Sequence, residues 1–349
     1  MKFGRAPLAL AAVLVPFVAF SGGCRRKAVE ANDIVPSVSM NRTRAPLGSA
    51  VELTYTWTTG PNFKKIEQEH RALVHFLDQH KQALFTDDHV PVPPPSSWEP
   101  NKTYTYQRTV FIPVYPYVGQ VQVAMGLYPS SGKGQRVGLK GEDVGLRAYK
   151  VATMEFLPQV DNIFSVLKDG WHGTETTAQN PGLERTWTKK DALVVFKNPK
   201  KDVVIYLEAD TNYKAFDVPP VLTLSVGKSK AGLVIPIADS EVFLKKMRVK
   251  AADLGTDEWV DLHFSMNQSF VPKAKGVNSH DDRELGVMVY HLYVGEADQL
   301  GTVPQVVDAG PVAAPVAVAS KEAPAKAAAP AKGTPPAKPP AGGGKSASK

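Results

Sequence analysis

Cysteine is nearly absent from this chain. Among its 349 residues only one, Cys24, carries a thiol. A single cysteine cannot form an internal disulfide, so any folded domain must be stabilised by its own apolar core. A free thiol is also a liability in an exported protein, and the position of Cys24 therefore needs an explanation.

Long hydrophobic runs are scarce as well. The longest, Leu8–Phe20, has 13 residues and contains Pro16, whereas a membrane-spanning helix needs about 20 apolar residues. Lys2 and Arg5 precede this run and small residues follow it, which is the three-part layout of an export signal. The sequence therefore predicts an exported protein that does not span the membrane.

The cysteine that closes this signal, in Ser21-Gly-Gly-Cys24, resembles the lipobox of bacterial lipoproteins. The resemblance implies that residues 1–23 are removed and that Cys24 becomes the acylated first residue of a tether over 24–37. Several acyl chains would hold the protein stably at a membrane. The family prefers Leu or Val where this chain has Ser21, and ordinary signal peptidase cleavage after Ser21 would instead leave a free thiol.

A membrane, contacted through the lipid anchor, is thus the first partner that the resemblance implies. Arg25 follows the cysteine, whereas an Asp at that position retains some lipoproteins at the inner membrane. This favours the outer membrane of the cell envelope.

Net charge is lacking in the middle of the chain. The formal charge of the whole sequence is +7, but residues 305–349 contribute +4, the signal contributes +2 and residues 25–37 contribute +1. Residues 38–304 are therefore formally neutral. A nucleic-acid interface needs cations clustered on the folded surface, so nucleic acid is excluded as a partner.

Aromatic residues are absent from 305–349, which is rich in Ala, Pro and Lys. Such a segment cannot bury enough apolar surface to offset the entropy of ordering it. We therefore predict a disordered tail over 299–349. It is either simply solvated or a basic tether to an anionic surface such as peptidoglycan.

The remaining chain consists of short alternating runs separated by Pro, Gly and Asn, a texture typical of all-β proteins. Val51–Trp57 and Val121–Leu127 alternate cleanly between apolar and polar residues. Because about 260 residues exceed one sandwich, we predict two tandem antiparallel β-sandwiches, Ig-like or jelly-roll-like, over 38–157 and 158–298. Trp57 and Trp187, inside such runs, are predicted core residues.

Two series of motifs suggest relatives. Leu73–Asp78, Thr86–His89, Ser97–Pro100, Ile112-Pro113 and Gly126–Tyr128 together resemble an accessory sandwich of bacterial membrane glycosyltransferases. Trp187, Phe270–Pro272 and Asp282–Gly286 resemble a carbohydrate-binding-like sandwich that accompanies the same enzymes. The resemblance implies an accessory, carbohydrate-related role and brings no catalytic residue with it.

Polar residues cluster across one predicted hairpin: His75, Asp78, Asp87, Asp88 and His89. In the expected register, position 75 faces about position 86, which brings the groups near one another. Two histidines and a carboxylate can bind zinc when they converge. The alternative, which we favour, is a polar edge that closes the hairpin.

A second polar cluster, His280–Glu284, precedes a predicted strand. Asp281 and Asp282 are candidate calcium ligands, because calcium prefers several oxygen atoms. Neighbouring residues in an extended chain point in opposite directions, which argues against two adjacent ligands. The alternative, which we favour, is a structural ion pair of Asp282 with Arg283 at the entry of the strand.

Four aromatic residues in predicted loops are candidate ligand contacts, because exposed rings stack on the faces of sugars. They are Trp98, Tyr115, Tyr117 and Trp171. For each single ring, packing in the core or at a corner is the simpler alternative.

The sequence contains no nucleophile elbow, no metalloprotease helix motif and no phosphate-binding glycine loop. We therefore predict a protein without catalytic activity or cofactor, with a binding or scaffolding role at the cell envelope and envelope polysaccharide or peptidoglycan as the ligand class to test. The alternatives are a hydrolase or transferase that acts on envelope glycan, and a tether whose basic tail contacts peptidoglycan.

Overall fold

A computed structural model describes residues 31–114, 117–176, 184–229 and 231–312. Almost every regular element in these ranges is a β-strand, and their one α-helix is the single turn α1 (Ala251–Leu254). Four short 3-10 turns cover Pro95–Ser97, Gln159–Asp161, Tyr213–Ala215 and Ala297–Gln299. The predicted all-β class is confirmed.

The first sandwich has one small and one large sheet. Its strands are β1 (Ile34–Met40), β2 (Arg44–Pro46), β3 (Ala50–Thr59), β4 (His70–Leu77), β5 (Ala83–Thr86), β6 (Thr103–Phe111), β7 (Gly119–Pro129), β8 (Glu142–Gly145) and β9 (Ala148–Leu157). The small sheet has the order β1-β3-β6, and the large sheet has the order β2-β9-β7-β4-β5 with β8 paired to β9. The pairs are antiparallel, except that β2 runs parallel to β9.

Side-chain alternation assembles the core of this sandwich. Leu53, Tyr55 and Trp57 on β3 are fully buried, as the alternating run predicted. From the opposite sheet, alternate residues of β4 reach the same core, Phe76 among them. The intervening residues of β4, such as Leu73, face the other side of the large sheet and belong to a small separate cluster.

The second sandwich pairs two larger sheets. Its strands are β10 (Ser165–Leu167), β11 (Thr186–Trp187), β12 (Asp191–Lys197), β13 (Val203–Asp210), β14 (Val221–Val226), β15 (Ala231–Pro236), β16 (Phe243–Val249), β17 (Trp259–Met266), β18 (Met288–Glu296), β19 (Val307–Asp308) and β20 (Gly310–Pro311). One sheet has the order β10-β12-β17-β14-β15-β20 and the other has the order β11-β18-β13-β16-β19. The pairs are antiparallel, except that β16 and β19 run parallel.

The core of the second sandwich is aliphatic, with Phe196 and Phe264 as its largest members. Trp187, a predicted core residue, is only half-buried and lies in a satellite cluster. It packs edge-on against Phe270, with ring centroids 6.0 Å apart. Strand β11 is a two-residue strand at the edge of its sheet, which explains this partial burial.

The two sandwiches meet over a buried junction. Ala50 from the first sandwich packs with Tyr206 and Tyr293 from the second. Beside this cluster, Lys246 Nζ lies 2.8 Å from Glu52 Oε1, with both side chains 6% exposed. A buried pair of this kind costs desolvation energy, but removing one partner would leave an uncompensated charge.

The ordered chain extends beyond the predicted start of the tail at residue 299. Leu300 is fully buried in the junction, and β19 and β20 each add a short edge strand. The export signal, Cys24 and residues 313–349 lie outside the described residues. Within the described part, no helix has the length and apolar composition that a membrane crossing requires.

Candidate functional site

The polar residues predicted to cluster across the β4–β5 hairpin form two separate groups. His75 lies opposite Thr86, as the predicted register requires. The pairing with β4 continues past the end of β5. Because side chains alternate along a strand, Asp87 and His89 point into the sandwich, whereas His75 and Asp88 point to its outer surface.

Asp78, the remaining member of the predicted cluster, closes the hairpin turn. Its Oδ1 accepts hydrogen bonds from the N–H groups of His80 and Gln82, both at 2.8 Å. An aspartate that bonds to the backbone a few residues ahead stabilises a turn, so Asp78 has a local role.

The inner cluster, defined as Tyr55, Asp87, His89, Tyr106 and Arg108, centres on the Asp87 carboxylate. Arg108 grips this carboxylate with two N–H groups, Nη2 to Oδ1 at 2.8 Å and Nε to Oδ2 at 2.9 Å. The Tyr55 hydroxyl donates to Oδ2 at 2.9 Å. Such a bidentate, charge-assisted contact is among the stronger polar interactions in proteins.

The neighbouring groups of the inner cluster shift the pKa of Asp87. Burial alone would raise it, but His89 and the Arg108 guanidinium hold the pKa of the carboxyl below its usual value. Burial and the nearby Asp87 charge raise the pKa of Tyr55 well above its ordinary value. At neutral pH Asp87 is therefore a buried anion that accepts hydrogen bonds from a neutral phenol and a guanidinium.

The other members of the inner cluster are joined by hydrogen bonds and by contacts between aromatic rings. His89 Nε2 lies 2.7 Å from the Tyr106 hydroxyl, which also accepts a hydrogen bond from Trp57 Nε1 at 3.3 Å. The ring centroids of Tyr55 and His89 are 5.0 Å apart. The inner cluster thus joins the two sheets at their edge, with His89 only 6% and Asp87 11% exposed, whereas the Arg108 side chain is 41% exposed.

The outer group lines an open groove, which we call the outer groove. Its volume is about 330 Å³, within the range of small-molecule sites. Its lining residues come from β4, from the segment after β5, from the end of β7 and from the loop that follows β7; they are Leu73, His75, Asp88, Tyr128, Pro129, Gly132, Gly134 and Arg136.

Backbone and side-chain contacts fix the polar residues of the outer groove. Asp88 Oδ1 accepts the Val74 N–H at 2.9 Å and lies 3.7 Å from His75 Nε2. Behind them, Arg71 donates to the Asp88 carbonyl at 2.8 Å and to the Tyr128 hydroxyl at 3.2 Å. The side chains of His75 and Asp88 remain 22% and 25% exposed, so a ligand can reach them.

The electrostatics of the outer groove assign a role to each group. Burial alone would raise the pKa of Asp88, but the neighbouring His75 ring and the Val74 N–H hold it below its usual value. Burial, and then the Asp88 charge, raise the pKa of Tyr128 above its ordinary value. At neutral pH the outer groove therefore offers an ionised acceptor at Asp88 and a neutral hydroxyl at Tyr128.

One wall of the outer groove depends on Gly126 in β7. A Cβ atom at this position would lie 2.7 Å from the carbonyl oxygen of Arg147, too close for any side chain. The glycine therefore lets the loop over 130–147 rest directly on the large sheet. In the same loop, Arg136 Nη1 donates to the Leu146 carbonyl at 3.0 Å, which orients the guanidinium.

The predicted aromatic contacts do not come together in a site. Trp98 is 2% exposed, stacks on Tyr104 at 5.2 Å and belongs to the first core. Trp171 packs edge-on against the core residue Phe264 at 5.2 Å, in the other sandwich. Tyr117 is half-buried against the first core, and Tyr115 lies outside the described residues. The alternative of core or corner packing thus describes the three placed rings.

The predicted ion pair involves a different aspartate. Arg283 Nη2 and Nε bind the two carboxylate oxygens of Asp281 at 2.8 and 3.0 Å, and Nη1 donates to Glu175 at 2.7 Å. The Asp281 carboxylate also accepts the N–H of Arg283, so the chain turns here and does not run extended. Asp282, the predicted partner, is exposed.

Metal binding finds no support in the geometry. Among the described residues, no three His, Cys, Asp or Glu side chains converge closely enough to hold an ion. Of the two candidate calcium ligands, Asp281 is engaged by Arg283 and Asp282 points to solvent.

Sequence reasoning missed most of the outer groove. Tyr128 stands in the Gly126–Tyr128 motif quoted for the family resemblance, but nothing marked it as a ligand contact. Arg71 lies in β4 on the same face as Leu73 and His75, but its bonds to Asp88 and Tyr128 reach other segments, and Arg136 lies in a loop without any regular pattern. The one available signal was alternation along β4, which places His75 on the face opposite Phe76 and so next to Asp88 in space.

Comparisons with known proteins were made for the whole chain. No protein-family model matches it, and neither does any curated protein. Among solved structures, a Bacteroides uniformis β-glucuronidase shares 12% identity over 75% of this chain, with a TM-score of 0.25. The chain spans only 30% of that enzyme's length.

Two further structures show similar levels of likeness. The M60 catalytic domain with two CBM51 domains of Clostridium perfringens ZmpB shares 7% identity over 71% of this chain and 34% of its own, with a TM-score of 0.21. The collagen-binding domain of Erysipelothrix rhusiopathiae RspB shares 8% identity over 76% of this chain and 97% of its own, with a TM-score of 0.14. Values this low assign neither a family nor a function.

Proposed function

We propose that this protein is a non-catalytic, lipid-anchored component of the cell envelope that binds glycan in the outer groove. The observation that carries the proposal is the composition of this groove. Arg136, His75 and the Tyr128 hydroxyl supply hydrogen-bond donors, Asp88 supplies an ionised acceptor, and Leu73 and Pro129 add apolar surface. A sugar presents hydroxyl groups that donate and accept, together with apolar C–H faces, and the groove matches both features.

Binding fits the outer groove better than hydrolysis does. Most glycoside hydrolases use two carboxyl groups, one of which must carry a proton at working pH. The lining of the outer groove contains one carboxylate, that of Asp88, and its pKa lies below the usual value. The groove therefore supplies an acceptor but no acid and no second carboxylate.

Anchoring at the envelope rests on the sequence around Cys24. The apolar run before this residue is followed by small residues, and the thiol is the single one in the chain. In this proposal Cys24 carries the acyl chains and the outer membrane is the site of anchoring. The tether is shorter than the predicted 24–37, because β1 begins at Ile34 and this residue is fully buried in the first core. Two or more acyl chains give stable attachment, whereas one gives marginal attachment.

The binding part is tested by co-sedimentation of the mature protein with isolated peptidoglycan and with insoluble envelope polysaccharide. The double variant His75→Ala/Arg136→Ala removes two donors from the outer groove. The matched control, Arg44→Ala/His263→Ala, removes an Arg and a His whose side chains are exposed elsewhere. We expect at least a tenfold loss of affinity for the groove variant, since two hydrogen bonds of about 1 kcal/mol are lost, and no change for the control. If the groove variant and the control variant co-sediment with the glycan equally well, the proposal is contradicted.

The anchor is tested by metabolic labelling with palmitate in cells that express the full chain. We expect label in the wild type and none in Cys24→Ser, with the Cys24→Ser protein released from the membrane fraction. Unchanged labelling in the variant refutes the anchor and leaves the outer groove unaffected.

A further inference from the structure

Charged side chains of both signs lie in and around the outer groove. Arg136 lines the groove, and Arg71 lies directly behind Tyr128 and Asp88. Lys133, between the lining residues Gly132 and Gly134, is exposed on the same wall. Within the lining itself the charged side chains are one cation, Arg136, and one carboxylate, Asp88, so what a ligand meets depends on how far each of them is already engaged.

The single carboxylate is already engaged by the protein. Asp88 Oδ1 accepts the Val74 N–H at 2.9 Å and has the His75 ring at 3.7 Å. These contacts come from β4, so the Asp88 charge compensates groups of its own sheet. A ligand that enters the groove therefore meets Arg136 beside a carboxylate whose charge is already partly compensated by the protein.

Arg136 is the cation best placed to meet the ligand. The bond from its Nη1 to the Leu146 carbonyl uses one of the five N–H groups of the guanidinium and fixes the direction of its plane. A guanidinium held in this way is suited to planar, bidentate recognition of a carboxylate, which a lysine cannot provide.

We infer that the outer groove selects acidic glycans, in which the sugar bears a carboxylate that binds Arg136. This inference rests on the proposed function, because it names the class of glycan that the same groove takes. Within this assignment the sugar hydroxyls bond to Asp88, His75 and Tyr128, and the carboxylate of the ligand pairs with Arg136.

The test compares polysaccharides that differ only in their charge. Dissociation constants of the mature full-length protein are measured for polygalacturonate and alginate, and for the esterified form of each, in which the carboxylate is neutral. A third arm pairs dextran sulfate with dextran. The variants are Arg136→Gln, which keeps hydrogen-bond donors but loses the charge, and the matched control Lys228→Gln, which removes a 92% exposed cation from the second sandwich.

We expect at least one acid form to bind about tenfold more tightly than its ester, which corresponds to one charge-assisted contact. Arg136→Gln should remove this difference, Lys228→Gln should preserve it, and a rise from about 50 to about 300 mM salt should reduce it through screening. Equal affinity for acid and ester overturns the inference while the proposed function stands. Binding to dextran sulfate as tight as to the acid forms overturns carboxylate selectivity, and no binding to any of the polysaccharides overturns both proposals.

Discussion

Asp87 and Asp88 are consecutive in the chain, yet they belong to opposite surfaces of the first sandwich. Asp87 points inward, is 11% exposed and is held by Arg108 and the Tyr55 hydroxyl. Asp88 points outward, is 25% exposed and lines the outer groove. The two carboxylates share one residue type and one strand edge, so the difference between them arises from side-chain alternation alone.

The comparison also separates two uses of a charged group. In the inner cluster, polar atoms are matched to one another, which leaves little for a ligand to bind. In the outer groove, His75 and Asp88 stay partly exposed beside the loop that carries Arg136, so polar groups there remain open to a ligand. A protein-bound carboxylate is therefore informative about function only when its surroundings remain open to a ligand.

The largest effect is expected at Asp87. Asp87→Asn should lower the free energy of unfolding by about 2–3 kcal/mol, because Arg108 loses its anionic partner at a mostly buried site. The estimate lies below that for a fully buried pair, since the Arg108 side chain is 41% exposed. The matched change Asp88→Asn should cost about 1 kcal/mol or less. Urea denaturation of both variants measures the difference. Equal losses of unfolding free energy would show that the two aspartates do not differ in their structural role.

The same contrast should appear in the pH dependence of stability. The pKa of Asp87 in the folded protein is lowered below 3.8, so its stabilisation is present above that pH and is lost as the pH falls through the folded value. Asp87→Asn should therefore make acid destabilisation shallower below about pH 4.

Asp210 in the second sandwich is a control, because its pKa is shifted in the opposite direction from that of Asp87. Burial raises its pKa, so the folded state keeps the proton longer and stability falls as the pH rises from 3.8 to the folded value. Asp210→Asn should make the acid dependence steeper. Thermal unfolding between about pH 3 and pH 7 measures both slopes, and a change of the same sign in the two variants would contradict the assignments.

Sequence reasoning captured what depends on alternation and missed what depends on tertiary contact. The run around Trp57 and the pairing of His75 with Thr86 follow from a period of two residues, and both are present. The approach of Arg136 depends on the path of a long loop, which in turn depends on the fit between Gly126 and the Arg147 carbonyl. No local pattern encodes that contact.

The ion pair of Arg283 shows the same limit at short range. The prediction assumed an extended chain before the strand and took Asp282, the sequence neighbour of Arg283, as the partner. The backbone turns instead, because the N–H of Arg283 bonds to the Asp281 carboxylate. The guanidinium then binds the same group.

A smaller effect is expected at the wall of the outer groove. Gly126→Ala should lower the free energy of unfolding by about 1–2 kcal/mol, because the added methyl group would push the Arg147 backbone off the sheet. Glycan affinity should fall with it, since Arg136 belongs to the displaced loop. A matched control is Gly173→Ala, where a Cβ atom would meet nothing within 4 Å. Binding that stays intact in Gly126→Ala would show that the wall contributes nothing to the site.

The smallest change in stability is expected at His75. Its ring is partly exposed and lies 3.7 Å from Asp88, so His75→Gln should change the free energy of unfolding by about 0.5 kcal/mol or less. The equivalent change on the inner side, His89→Gln, replaces a ring that is 6% exposed and contacts Tyr106, and should cost about 2 kcal/mol. Glycan affinity should show the reverse order, with a loss at His75 and none at His89 under conditions where both variants are folded. Measuring both the free energy of unfolding and the glycan affinity of the two variants shows whether the outer and inner sides of this sheet edge have different roles. If the edge were purely structural, both variants would lose stability and neither would lose affinity.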